Sequence, residues 1–322
     1  MKILVAGGAG YIGSALVPAL LEHGYEVDVI DLLWFGNHLP AEVKLVQRDL
    51  FECTQRDFEG YDQVIFLAGL SNDPMAEFNP AKNFIDNAAL PAYLAFQARK
   101  ARVKRYIYAS SCSVYGYTVN ELYDEESPVV CAYPYGISKL QGERGVFQMC
   151  DDCNFSVISL RQGTICGYSP RMRFDLIVNT MFKTALSEGV VTVSNPSIWR
   201  PIFDIRDTVN AYLRAVQADY SISGVFNVAS GNYTVGQVAD LVKEEVEQLT
   251  GKKIKLNIRN IQDFRNYKVT WEKAKTVLSF MPKYNIGDII DNLYKHLEEY
   301  DDFSADAYTN IATFEKLRFS LR

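Results

Sequence analysis

Lys2-Ile-Leu-Val-Ala6 followed by Gly7-Gly-Ala-Gly10-Tyr11-Ile12-Gly13-Ser14 is the stretch whose reading decides the fold. The short apolar run suits a strand buried on both faces of a parallel sheet. The glycines then turn the chain into a helix over 15–23, which Gly24 closes. A second strand, Glu26 to Ile30, runs into Asp31. Strand, glycine turn, helix, strand and acid is the order of a dinucleotide-binding unit. Backbone N–H groups at a helix start hold a diphosphate only where no side chain intervenes. Here the glycines are spaced three and three, not two and three as in the dehydrogenase fingerprint, so the flanking elements carry the reading. Asp31 is the expected acceptor for the adenosine ribose hydroxyls, and its charge opposes a 2′-phosphate, which selects NAD.

Working outward, strands and helices keep alternating. Short strands are expected at 44–48, leading to Asp49-Leu50, and at 62–68, ending Leu67-Ala68-Gly69. Ser71-Asn-Asp-Pro74 reads as a loop, Pro80 opens a helix, and Pro91 interrupts or restarts it. A strand over 105–110 then carries Ile107-Tyr-Ala-Ser-Ser111-Cys112-Ser113-Val-Tyr-Gly116, and Tyr135-Gly-Ile-Ser-Lys139 follows. At that spacing a helix sets Tyr135 and Lys139 on one face. A phenol titrates near ~10 in water and serves as a base at neutral pH only where positive charge favours its phenolate. Lys139 is expected to supply that charge. Strand ends gather on one edge of such a sheet, so Asp49, Ala68, Asn87, Ser111 and Tyr135 are expected to converge.

The bounds are those of a globular protein. Of 322 residues, 48% are apolar and 22% charged, enough to build a sizeable core in one or two domains. A net charge of −6 offers no general attraction to nucleic acid or an anionic membrane. No apolar run approaches the ~20 residues of a membrane span, and Met1 leads straight into the glycine cluster without a signal peptide. Cysteines at 53, 112, 131, 150, 153 and 166 lack framework spacing, and a reduced, cytoplasmic protein is the simplest account. Cys150-x-x-Cys153 stands alone, without a second pair or a histidine, so no metal site is expected. Cys112 has no nearby histidine to raise its thiolate fraction and reads as a small packing residue.

Three motifs in order, Gly-Gly-Ala-Gly-Tyr-Ile-Gly-Ser, Ala-Ser-Ser-Cys-Ser-Val-Tyr-Gly and Tyr135-x-x-x-Lys139, resemble the extended short-chain dehydrogenase/reductases. Within them the likeness is to the NAD-dependent nucleotide-sugar epimerases and dehydratases of the UDP-glucose 4-epimerase type, over most of the chain to about residue 300. The resemblance implies a Rossmann-like doubly wound parallel sheet with a smaller, discontinuous α/β substrate-binding domain. The NAD-binding domain would be 1–162, completed by about 204–230. The substrate region would be 163–203 and 231–300, with 301–322 a tail of undetermined role. By the same likeness Tyr135 removes a hydroxyl proton, Lys139 binds the nicotinamide ribose and lowers the tyrosine pKa, and Ser111 orients the sugar oxygen. Gly7, Gly10, Tyr11, Ile12, Gly13, Asp31, Asp49, Leu50, Leu67, Ala68, Gly69 and Asn87 complete the cofactor set. The family's dimer contact through the Tyr135 helix implies a homodimer.

The substrate, a nucleoside-diphosphate sugar, falls to the second half. Arg171 and Arg173 in Ser169-Pro-Arg-Met-Arg-Phe-Asp175, Arg200 in Trp199-Arg-Pro-Ile-Phe-Asp-Ile-Arg-Asp207, and Arg265 in Asp263-Phe-Arg-Asn-Tyr267 are candidates for its diphosphate, because guanidinium groups match phosphate oxygens bidentately. Arg200 and Arg265 fall where the family has phosphate-contacting arginines. Ser71, Ser111, Cys112, Ser113, Thr164 and Asn179 are the remaining substrate candidates. Departures narrow the chemistry. Where the 4,6-dehydratases carry acids after the catalytic hydroxyl, this chain has Cys112 and Ser113, which replace a carboxylic acid poorly. Thr164 also stands where the family has an asparagine. The resemblance therefore implies a 4-epimerase passing through a transient 4-keto sugar, with net 4-dehydrogenation as the alternative. A non-catalytic NAD sensor on the same fold would not need the Tyr135–Lys139 pair.

Overall fold

The computed structural model describes residues 1–150, 154–259, 265–300, 302–303 and 305–317, apart from the side chains of 119, 120 and 150. The Cys150-x-x-Cys153 pair, residues 263 and 264 before Arg265, and the last five residues of the tail lie outside the described residues.

β1 (Lys2–Ala6), β2 (Glu26–Asp31), β3 (Lys44–Gln47), β4 (Gln63–Phe66), β5 (Arg105–Ser111), β7 (Ser156–Gln162) and β11 (Gly224–Val228) form a seven-stranded sheet in the order β11-β7-β5-β4-β1-β2-β3. Every pairing in it is parallel. Side chains alternate between its faces. Ile3, Val5, Ile65, Ile107 and Ile158 pack with α1 (Gly13–Glu22) and α7 (Ile205–Gln217) on one side. Leu4, Val64, Phe66, Tyr106, Tyr108 and Val157 pack with α4 (Leu90–Lys100) on the other. A parallel sheet needs both covers, which is why these strands read as continuous apolar runs. This is the expected doubly wound fold.

The helix before β5 is built around a proline. Beyond α2 (Asp73–Phe78), α3 (Pro80–Phe84) runs into a π-helical turn, Ile85–Ala89, and then α4. Pro91 has no N–H to donate one turn back. The Asn87 carbonyl instead accepts from the Tyr108 hydroxyl, at 3.0 Å. The α-helical hydrogen bonding is interrupted by the π turn and restarts at α4 with Pro91 in its first turn, as expected. Gly142 in α5 (Pro134–Phe147) lies against that same carbonyl, where a Cβ would come within 2.2 Å. The helix carrying Tyr135 is thereby pressed close to α4.

The rest of the chain contributes a second core. β8 (Thr164–Cys166), β10 (Trp199–Asp204) and β12 (Gly231–Thr234) make a three-stranded sheet. Phe182 of α6 (Ile177–Glu188), Val242 of α8 (Val235–Thr250) and Ile290 of α10 (Ile286–Lys295) pack together beneath it. Two smaller parallel pairs join β9 (Val190–Ser194) to β13 (Lys255–Arg259) and β6 (Tyr117–Tyr123) to β14 (Asn266–Val269). α9 (Glu272–Leu278) lies near β11, and α11 (Asn310–Lys316) rests on α2.

One buried cation ties the sheet together. Arg105 is fully buried at the start of β5. Its guanidinium donates to the carbonyls of Ala215 (2.9 Å), Ala218 (2.6 Å) and Asp219 (2.5 Å), and to Ser156 Oγ (3.0 Å).

Candidate active site

The carboxyl ends of the strands open onto a cavity of about 580 Å³, lined among others by Gly10, Tyr11, Ser111, Ser113, Tyr135, Lys139, Thr164 and Arg173. A smaller cavity of about 120 Å³ continues from it past Asp31, Asp49, Leu50 and Leu90. Gly7, Gly10, Leu67, Ala68, Gly69 and Phe35 line both. An elongated ligand can therefore lie along the sheet edge, across the turn between β1 and α1.

The glycine turn tests whether a dinucleotide fits there. Gly7 has φ +80°, and its Cβ would stand 2.5 Å from the Ala68 backbone, so packing of the turn against the end of β4 demands glycine. Gly10 differs: a Cβ there would meet the protein only at the Gly7 carbonyl, 3.5 Å away, and would otherwise fill the cavity. The fold has no need of glycine at that position, and a diphosphate approaching the backbone does. Asp31 accepts from the Ala9 and Leu33 N–H groups at 3.0 and 2.8 Å, which fixes its carboxylate in the smaller cavity. Burial holds that carboxyl above the usual range. Asp49 is fixed likewise by the Phe51 N–H, at 2.9 Å. These residues fit the ribose and diphosphate of NAD.

Tyr135 sits in the first turn of α5, and its hydroxyl shares a hydrogen bond with Ser111 at the end of β5. Ser111 Oγ in turn accepts from the Ser113 N–H and donates to Ser113 Oγ, at 3.1 and 3.0 Å. Lys139, one turn on, is 5% exposed and gives Nζ to the Ala109 carbonyl at 3.0 Å. Burial pushes its ammonium down to about 7. The Tyr135 phenol is held above its ordinary value, by burial first and then by the Asp73 carboxylate, while the Ser111 hydrogen bond and the Arg173 charge pull the other way. Lys139 Nζ lies 5.9 Å from the centre of the Tyr135 ring and is largely desolvated, and the charge of Arg173 also favours the phenolate.

Behind this pair α5 is bolted to the sheet. Glu143 accepts from Ser110 Oγ (2.8 Å), Ser159 Oγ (3.0 Å) and both Nε and Nη2 of Arg161 (3.1 and 2.7 Å). Both residues are at most 5% exposed. Sequence reading missed this ion pair, because Glu143 reads as one more polar helix residue until the sheet brings Arg161 against it.

The opposite wall is tethered to the glycine turn. Tyr11 donates to the Gly167 carbonyl at 2.6 Å, and Ser14 Oγ meets Ser169 Oγ at 2.8 Å. Arg173 is locked bidentately to Asp175, at 2.8 and 3.0 Å. Arg200 donates to the carbonyls of Trp199 and Arg265, and Arg265 pairs with Asp73 Oδ2 at 2.6 Å. Ser71, Ser113, Thr164 and all four arginines line the larger cavity.

Three expected contact residues are not on the cavity wall. Cys112 is fully buried and donates to the Arg161 carbonyl at 3.1 Å, and burial pushes its thiol up. It turns inward because the chain enters a 3-10 turn directly after Ser111. Asn179 is fully buried and spends its amide on the carbonyls of Gly167 and Arg173 and on the Gly167 N–H, shaping the 167–173 loop. Asn87 is fully buried too, donating to the Leu70 carbonyl and Asn83 Oδ1, both at 2.8 Å. It holds the 70–71 backbone instead of facing the cavity. Conversely, sequence reading overlooked Asp73, Gln162, Tyr267 and Asn310, all cavity residues. Tyr267 meets Ser113 Oγ at 3.4 Å. The Ser71-Asn-Asp-Pro74 stretch, expected as a loop, instead opens α2 with Asn72 as its cap, and nothing local aims Asp73 at Tyr135.

With this geometry in place, the comparisons are specific. The sequence model of the NAD dependent epimerase/dehydratase family matches residues 3–229. A UDP-glucose 4-epimerase of Corynebacterium glutamicum is 26% identical over 94% of this chain and 98% of its own length. Among solved structures, a UDP-glucose 4-epimerase from Thermotoga maritima with UDP-glucose has a TM-score of 0.81 at 25% identity, covering 93% of this chain and 99% of that one. MoeE5 in complex with UDP-glucose and NAD has a TM-score of 0.82 at 23% identity over the same shares, a likeness of fold.

Proposed function

The chain belongs to the NAD dependent epimerase/dehydratase family, and from that premise we propose that it is a nucleotide-sugar 4-epimerase working through a transient 4-keto sugar. The observation that carries this reading is Tyr135 hydrogen-bonded to Ser111 on the cavity floor, with Lys139 one turn behind. NAD, when bound, supplies the acceptor that takes a hydride from the sugar carbon and returns it to the other face. Tyr135 removes the proton from the sugar hydroxyl and gives it back when the carbonyl is reduced again. Ser111 hydrogen-bonds the same oxygen and fixes its direction. Lys139 holds the ribose hydroxyls beside Tyr135. Arg200 and Arg265 hold the nucleoside diphosphate at the far end, as guanidinium groups suit phosphate oxygens.

Dehydration fits less well. Ser113 cannot take the place of a carboxylic acid, and Cys112 is turned into the core. The exposed Phe84, Ile85 and Phe96 beside α5 suit a helical contact between two copies, the homodimer the family resemblance implied.

The test is to incubate the purified protein with UDP-, GDP-, dTDP- and CDP-sugars singly. Absorbance near the reduced-nicotinamide band, mass spectrometry and NMR of the sugar are then followed together. A product of unchanged mass and inverted configuration, without lasting NADH, is expected. A product two hydrogens lighter with stoichiometric NADH would make the protein a sugar-nucleotide dehydrogenase instead.

A further inference from the structure

Arg171 is 2% exposed, yet its Nε has no hydrogen-bond partner among the described residues. Its neighbour Arg173 is held bidentately by Asp175, whereas among the described residues the Arg171 guanidinium hydrogen-bonds only a neutral group, donating Nη2 to Asn310 Oδ1 at 2.5 Å. A buried guanidinium without a bonded anion is costly, and burial together with the Arg173 charge pushes it down to about 9. Such a group marks a place where an anion completes the structure.

Its surroundings say which anion. The Arg171 N–H donates to Ser14 Oγ in the first turn of α1, at 3.2 Å, and its guanidinium lies 3.7 Å from the centre of the Phe35 ring. Phe35 lines both cavities, and Asp31 acts on Arg171 through space. Ser14, Phe35 and Asp31 belong to the glycine turn and the smaller cavity, where the dinucleotide reading puts the cofactor. Asn310 comes from the C-terminal segment. Its Nδ2 donates to Ser71 Oγ at 2.8 Å, its N–H reaches Asp175 at 3.3 Å, and Phe314 packs on Trp34 edge to face at 5.0 Å. The segment around Asn310 and Phe314 is therefore fastened to the cavity wall.

We infer that Arg171, held in place by Asn310, binds the diphosphate of the dinucleotide from the side opposite the glycine turn, so that the C-terminal segment is part of the cofactor site. This rests on the NAD reading above and moves Arg171 out of the substrate set.

Calorimetric affinities for NAD, ADP-ribose, adenosine and UDP, measured on the full chain freed of bound nucleotide, test it. For Arg171→Gln, NAD and ADP-ribose should each weaken at least about tenfold, the scale of one charge-assisted hydrogen bond. Adenosine and UDP should bind as to wild type. Arg171→Lys, a point charge without the fork, should fall between, and Asn310→Ala should weaken NAD by a smaller factor. Unchanged NAD affinity in Arg171→Gln overturns the inference, as does a loss confined to UDP or one shared equally by adenosine. Should Arg171→Gln not fold, unchanged NAD affinity in both Arg171→Lys and Asn310→Ala overturns it. Wild-type protein that binds no NAD would sink the cofactor reading itself, a distinct result.

Discussion

The two walls of the cavity are held by different means. On the sheet side, Ser111 and Tyr135 stand on β5 and α5, and these are locked to β7 by the dry Glu143–Arg161 pair. On the facing side, Arg173, Arg200 and Arg265 stand on loops and strand ends, held by hydrogen bonds to carbonyls and by carboxylates that themselves line the cavity. A rigid wall suits proton transfer, which depends on tenths of an ångström; a wall of shared charges suits a ligand that arrives carrying phosphates.

The largest effect should come from the chemistry of the rigid wall. Tyr135→Phe should lower kcat about 10²–10⁴-fold while NAD affinity, read by calorimetry, stays at the wild-type value. Loss of NAD binding along with turnover would mean that the hydroxyl is chiefly structural. Next comes the bolt behind it. Glu143→Gln leaves the Arg161 charge buried and uncompensated, so urea unfolding should show a loss of about 3–5 kcal/mol. A change under 1 kcal/mol would show that this wall is no stiffer than the other. For the facing wall, Arg200→Ala should raise KM for the nucleotide sugar by about tenfold or more with little change in kcat, the signature of a lost hydrogen bond to a charged group. An equal fall in kcat would place Arg200 in the chemistry.

Smaller shifts in pH dependence sharpen the contrast. Asp73 raises the Tyr135 pKa and Ser111 lowers it. The limb of the kcat/KM profile governed by Tyr135 should therefore move to lower pH in Asp73→Asn and to higher pH in Ser111→Ala. Movement in the same direction would break the electrostatic account. Lys139 adds a signal in stability. Its folded value of about 7 lies below the ordinary lysine value of 10.5, so between these pH values the unfolded chain binds more protons. Stability should rise with pH across that window, and Lys139→Met should flatten the rise in urea midpoints.

The sheet-side wall was largely legible because its signals are local. Gly7 and Gly10 follow directly on β1, Asp31 ends β2, and Lys139 is four positions on from Tyr135. What was misread there depends on depth: Cys112 and Asn87 are in the right stretches but face inward, and no periodicity reports the 3-10 turn or the π turn that points them there. The facing wall resisted reading for another reason. Asp73 meets Arg265 across 192 residues and Asn310 meets Arg171 across 139, contacts that only the folded chain defines. The arginines announced themselves by type, but which anion each serves does not follow from type.

Arg105 bears on how this molecule is made. Synthesis delivers it with β5, more than a hundred residues before the carbonyls of Ala215, Ala218 and Asp219 leave the ribosome. Until then its guanidinium must stay hydrated, because sealing it in without acceptors is costly. The edge of β5 is thus kept wet while the nascent chain grows. Closing the sheet around Arg105 thus requires residues up to about 219.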